Sequence, residues 1–177
     1  MRPPPTFTTA RLLAHPVRSE DAPDVFAAYA NDPEVTRYLA WKAYPDPEPL
    51  AVFLAAREGD WIAGNHFVWQ LRLQSDRAIV GALGIIIEDH RALFGYVLGK
   101  RYWGQGYAAE ALRHQIDWAL AQPGIHRAWA YCDLENPTSA RVMEKAGMTR
   151  EGILRRWHVC PTIGPEPRDC FVYAKVR

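Results

Sequence analysis

The sequence predicts an α+β domain: a mixed, mostly antiparallel central sheet of about six to seven strands, flanked by helices. Three observations carry this. Residues His66 to Leu73 set Phe67, Trp69, Leu71 and Leu73 against mostly polar neighbours, the period of a half-buried strand. A second apolar run, Ala78 to Ile87, follows after the short turn at Gln74-Ser75-Asp76, so the two runs pair as a meander. Phe94 to Leu98 then leads through a glycine turn into a helix, and another strand, His126 to Asp133, comes after that helix. Two strands joined by a helix pair in parallel. With 177 residues, 49% of them hydrophobic, residues 1–177 fit a single domain with a substantial core.

Taken in order, Arg11 to Val17 is a first strand. Ser19-Glu20-Asp21 caps a helix whose apolar side is Val25, Phe26 and Tyr29. Asn31-Asp32-Pro33 starts a second helix, with proline at a tolerated first position. The prolines from Tyr44 to Pro49 break the chain into a loop, Leu50 to Arg57 returns to helix, and Gly59 to Asn65 is turn-like. After the meander and the strand Phe94–Leu98, Gly104 and Gly106 form a tight turn. From Tyr107 the chain is helical, with Leu112, Ile116 and Ala119 on one face and Pro123-Gly124 as the stop. Asn136-Pro137 opens another helix, which Gly147 closes. Met148 to Val159 and Arg168 to Val176 are the last two strands, joined by the loop Pro161 to Pro167.

The glycine turn carries the chemistry. A turn feeding a helix N-terminus leaves N–H groups unpaired beside a partial positive charge, which suits a phosphate. Glu110 in the first turn matches that dipole. Gly104-x-Gly106-x-x-Ala109 also fits a dinucleotide fingerprint by spacing. The context rejects that reading, because Lys100-Arg101-Tyr102-Trp103 separates the strand from the first glycine and too little chain follows for a doubly wound sheet. No Walker loop is present.

The composition narrows the partners. A net charge of +1 argues against a general nucleic-acid or anionic-membrane surface. Cys132, Cys160 and Cys170 show no metal-ligand spacing, so no metal is expected and they are read as free thiols in a reducing cytoplasm. No run approaches membrane-spanning length, and Met1-Arg2-Pro3-Pro4-Pro5 does not read as a signal peptide. His90, His114 and His126 lack ligand spacing and are read as surface residues.

Two segments resemble the GNAT acetyltransferase superfamily. Arg101-x-x-Gly104-x-Gly106 is similar to its pyrophosphate loop, and Asn136-Pro137-Thr138-Ser139 followed by Glu144-Lys145-Ala146-Gly147-Met148 is similar to its later helix. Asp32-Pro33-Glu34-Val35-Thr36-Arg37-Tyr38-Leu39, Trp103 and Glu151-Gly152 resemble the branch holding the ribosomal-protein (Rim-type) N-terminal acetyltransferases. The resemblance covers roughly Thr9 to Val176. It implies a GNAT fold with a sheet splayed at the acetyl-CoA site, acetyl-CoA as co-substrate, and direct transfer to a primary amine on a protein N-terminus or a small molecule.

By that likeness the cofactor-binding residues are Tyr96, Val97, Leu98, Arg101, Tyr102, Trp103, Gly104, Gln105, Gly106, Tyr107, Ala108, Asn136, Ser139 and Arg141. The pantetheine arm pairs like a short strand with the end of Phe94–Leu98. A backbone N–H, of Val97 or Leu98, polarises the thioester carbonyl. Many relatives place a tyrosine in the last helix as the acid for the thiolate. Here Met143 stands there, so the resemblance points to Ser139 instead. Glu151 is the candidate base, with Glu88 and Asp89 as rivals, while Leu93 replaces a glutamate that relatives often carry. Trp41, Tyr44 and Trp61 are candidates to line the acceptor cleft. Asn136 and Ser139 also read as ordinary capping residues, and Glu151 as a solvated strand charge. Two rival functions remain: a non-catalytic acyl-CoA-binding sensor on the same scaffold, and a nucleotide-binding regulator using the glycine turn. A monomer or a homodimer fits equally.

Overall fold

The computed structural model describes residues 1–64 and 66–177. One eight-stranded sheet organises them, in the order β1-β2-β3-β4-β5-β6-β8-β7. The strands are β1 (Phe7–Thr8), β2 (Leu12–Pro16), β3 (His66–Leu73), β4 (Ile79–Glu88), β5 (Arg91–Leu98), β6 (Arg127–Asp133), β7 (Thr149–Val159) and β8 (Pro167–Val176). All neighbours pair antiparallel except β5 and β6, which are parallel. The strand beyond the expected six or seven is β1, two residues that pair with Leu13 and Ala14. So short a segment leaves no periodicity to read.

The helices are α1 (Ala22–Val25), α2 (Pro33–Thr36), α3 (Pro47–Ala63), α4 (Tyr107–Ala121) and α5 (Pro137–Lys145). On one face of the sheet, α4 and α5 bury Leu112, Ile116 and Met143 against Trp69, Leu83, Ile85, Phe94, Ala128, Ala130 and Tyr173. Full burial of a side chain such as Ile116 contributes about 1.5–3 kcal/mol. On the other face, α1, the π-type turn after it and α3 bury Val25, Tyr29, Leu50 and Leu54 against Ile79, Ala82 and Val97. That second layer covers β3, β4 and β5; among the described residues it takes none from β6, β7 or β8. No helix packs an apolar layer on β6–β8 on this face among the described residues, although the chain after α2 reaches the end of β6, where the Tyr38 hydroxyl donates to the Glu135 carbonyl at 2.9 Å.

Several expected boundaries shift for identifiable reasons. Ser19 does not cap a helix with its side chain: its N–H donates to Glu58 at 2.6 Å, and a 3-10 turn, α1 and a wide π-type turn follow. The helix expected over Leu50–Arg57 starts at Pro47, because Asp46 accepts the Glu48 N–H at 2.9 Å. It also runs through Gly59 to Ala63 before Gly64, at φ +80°, ends it. Gly59–Ala63 is thus helix rather than turn, and Asn65 lies outside the described residues. His114 is not a free surface residue, since its ring stacks on Phe7 with centroids 4.8 Å apart.

At Gly81 the need for glycine is steric. A Cβ there would lie 2.0 Å from the Val97 carbonyl oxygen, so β4 lets the end of β5 approach closely. The three cysteines are free and buried. None of the helices among the described residues is long and apolar enough to cross a membrane.

Candidate active site

The site begins with a failure of pairing. β5 follows β4 from Arg91 to Leu98, but meets β6 only from Arg91↔Arg127 to Leu93↔Trp129. Beyond that rung the two strands part and leave a gap between their C-terminal halves. Peptide groups alternate in direction along a strand. The Gly99 N–H donates to Val80 on β4 at 2.9 Å, so the Val97 N–H also faces β4 and the Leu98 N–H faces the gap. The Leu98 carbonyl is taken by the Trp103 indole N–H at 2.9 Å, which fixes the chain after β5.

The glycine turn sits at the end of β5. Gly104 and Gly106 hold φ of +76° and +84°, backbone that L side chains rarely adopt. Gly106 is the N-cap of α4 and provides no side-chain cap, so the first amides of that helix point outward unfilled. Nothing lies within 4 Å of where a Gly104 Cβ would stand, so this cradle is open to a ligand. It is braced from the turn between β1 and β2. Glu110 accepts from the Thr9 hydroxyl at 2.6 Å and from Arg11 Nε at 2.7 Å, and Arg11 donates to the Gln105 carbonyl at 2.9 Å. Burial alone would raise the Glu110 carboxyl; the bonds from Thr9 and Arg11 outweigh it and hold the group below the usual range. The Arg11 guanidinium also lies 4.4 Å over Tyr107. Sequence reasoning named Glu110 only for the dipole and missed Thr9 and Arg11, whose partners are about a hundred residues away. Arg101 is exposed, 4.7 Å over the buried Tyr102 ring, and Gln105 bonds the Arg101 carbonyl at 2.8 Å. Ala108 is buried beneath the turn.

Across the gap stands α5. Asn136 is its N-cap, with Oδ1 accepting the Ser139 N–H at 3.1 Å. Ser139 meets Tyr96 of β5: the Tyr96 hydroxyl donates to the Ser139 carbonyl at 3.0 Å and stands 2.7 Å from Oγ. A phenol on one edge of the gap is thus joined to a hydroxyl on the other. Burial pushes the Tyr96 phenol up, so it is protonated at neutral pH and can donate. Met143 is fully buried in the core and carries no proton. The nearby Cys132 thiol is pushed up to about 12, by burial first and by Asp133 second. Arg141 is exposed on α5.

The candidates for the acceptor side separate. Trp41 and Tyr44 stand together, with centroids 5.5 Å apart, and pack on the second layer. Trp61 does not join them. It packs edge-on against Phe67 and Trp69, and its indole N–H donates to the Val68 carbonyl at 2.9 Å, so it belongs to the seam between α3 and β3. Glu151 is paired with Arg127, whose bonds hold the carboxyl below the usual range. An ion-paired carboxylate of this kind is a weak base for an ammonium group. Glu88 and Asp89 end β4 at the zipped end of β5, where Glu88 pairs with Arg91.

Sequence reasoning missed an aromatic group on this side. Trp129 and Tyr131 alternate with the buried Ala128, Ala130 and Cys132, so they project from the face without helices. Trp157 packs against both, with centroids 6.5 and 6.0 Å away, and His158 lies beside Tyr131 at 5.3 Å. Burial lowers the His158 imidazole and Asp133 partly restores it. The alternation of Trp129 and Tyr131 is visible in the sequence, but the approach of Trp157 is not. It depends on a bulge in β7, where Arg156 adopts φ +45° and donates its N–H to Asp169 at 2.9 Å.

A family model described as an acetyltransferase (GNAT) domain matches residues 11–149. The chain is 29% identical to the uncharacterised N-acetyltransferase p20 of Bacillus licheniformis, over 85% of each chain. An acetyltransferase of the GNAT family from Bacillus anthracis superposes with a TM-score of 0.82 at 26% identity, covering 97% of this chain and 98% of that one. RimL, a ribosomal L7/L12 α-N-protein acetyltransferase in complex with coenzyme A, shares the fold with a TM-score of 0.84 at 18% identity, covering 97% of each chain.

Proposed function

The chain belongs to the acetyltransferase (GNAT) domain family, and from that premise we propose that it moves the acetyl group of acetyl-CoA directly onto a primary amine, on a protein N-terminus or a small molecule. The observation that carries this reading is the pair Tyr96–Ser139, joined across the gap into which the Leu98 N–H points. Acetyl-CoA brings a thioester, an acyl group already activated toward amines. Its pyrophosphate suits the open amides at Gly104 and Gly106, with Arg101 beside them. Asn136 and Arg141 flank the other side. The unpaired edges of β5 and β6 suit the amides of an extended pantetheine arm.

In this proposal the amine nitrogen forms the new C–N bond as the C–S bond breaks. The Leu98 N–H stabilises charge on the carbonyl oxygen, and the Tyr96 hydroxyl delivers a proton to the departing sulfur, with Ser139 holding the phenol and relaying back to it, through solvent, a proton equivalent to the one the amine releases. The amine sheds its extra proton to water or to a carboxylate. Glu151 is the carboxylate first proposed, and its pairing with Arg127 favours acceptors that need little help. A peptide α-amine titrates near ~8, a lysine near ~10.4. The fold-level likeness to RimL supports an N-terminal amine among the acceptors. The sensor alternative rests on Met143 and Leu93, which stand where relatives carry a tyrosine and a glutamate, and the phenol of Tyr96 weakens it.

The test compares kcat/KM for peptides bearing either a free α-amine with lysine blocked or the reverse, with small amines beside them. We expect α-amines or small amines to lead, with rates rising through pH 8 as the amine deprotonates. A preference for the lysine peptide over every other acceptor contradicts the reading.

A further inference from the structure

The aromatic group on the helix-free face has no role in the core. Trp129 occupies the last rung before β5 and β6 part, opposite Leu93. Tyr131 is the next β6 residue on that face and so borders the gap itself. Trp157 is 49% exposed although it packs on both rings, at 61° to Trp129 and 84° to Tyr131. About half of Trp157 is thus open to solvent beside two further rings, an arrangement that can take a ligand's ring. The flanking charges are already matched, Arg127 with Glu151 and Arg168 with Asp133 and Glu135. Such a surface has little to offer a strongly charged ligand and much to offer a flat one.

On the opposite face of the gap stand α4, α5 and the glycine turn, the side given to the donor. That leaves the face carrying Tyr131 for the acceptor. We propose, resting on the acetyl-transfer reading above, that Trp129, Tyr131 and Trp157 form the acceptor subsite and select a primary amine carrying a planar aromatic ring, stacked on Trp157 with its amino group reaching the gap beside Tyr131. An aromatic pair is worth about 0.5–1.5 kcal/mol beyond the area it buries, or about two- to tenfold in affinity.

The test uses phenethylamine and tryptamine beside 2-cyclohexylethylamine, a saturated amine of similar size. Acetyl transfer is followed by thiol release, and binding to the CoA-loaded protein by calorimetry. The aryl amines should exceed the saturated amine about two- to tenfold in kcat/KM and in affinity. Trp157→Ala should abolish that ratio and Trp157→Phe restore most of it, with acetyl-CoA affinity the same in all three proteins. Equal values for aryl and saturated amines, or a ratio unchanged in Trp157→Ala, overturn the subsite. Selective aryl-amine binding without turnover keeps the subsite and removes the transferase reading.

Discussion

Tyr96→Phe should lower kcat about a hundredfold to ten-thousandfold, the usual scale for a lost general acid, while the Kd for acetyl-CoA changes less than about threefold. The substitution keeps the ring that packs against the core and removes only the hydroxyl that bonds Ser139 at 2.7 Å. Ser139→Ala should fall in the same range. Because the two hydroxyls act through one hydrogen bond, the double variant should be little worse than the more damaged single one. Steady-state rates with a saturating amine measure all three. Full activity in Tyr96→Phe would return the proton to water or to Ser139 alone. Losses that multiply in the double variant would mean that the two groups work separately.

Gly106→Val should weaken coenzyme A binding about a hundredfold. Gly106 holds φ +84°, where a β-branched residue is strained by about 1–3 kcal/mol. Its Cβ would also stand 3.5 Å from the Arg11 guanidinium, so the added methyls crowd the brace that sets the first turn of α4. Gly64→Val is the control: φ there is +80°, at the C-terminus of α3 and remote from the turn. Both variants should melt at lower temperature, but only Gly106→Val should lose affinity by calorimetry. A folded Gly106→Val protein that binds coenzyme A like the parent would remove the phosphate site from this turn.

The parts of the fold legible in the sequence are those that local periodicity governs. His66–Leu73 shows its strand by alternation, α4 by its buried Leu112 and Ile116, and α5 by Asn136 and Gly147 at its ends. The glycine turn was equally plain, since few residues other than glycine tolerate its backbone. What the sequence hid depends on partners far along the chain. Trp61 looked like a cleft aromatic until α3 set it against Phe67 and Trp69. Glu151 looked like a free carboxylate until β6 brought Arg127 to it. Tyr96 could be named for the cofactor side, but its role beside Ser139 needs the gap, and the gap is a property of two strands that stop pairing. Trp157 reaches Tyr131 only because Asp169 holds a bulge one strand away.

If the proposal holds, the thioester lies between β5 and β6 with its sulfur beside the Tyr96–Ser139 pair. A crystal structure of the acetyl-CoA complex should place the sulfur within about 4 Å of the Tyr96 or Ser139 oxygen, close enough for sulfur to accept weakly, with the carbonyl oxygen on the Leu98 N–H and the pyrophosphate over Gly104 and Gly106. A sulfur beyond reach of both hydroxyls, or a carbonyl turned away from Leu98, would contradict it.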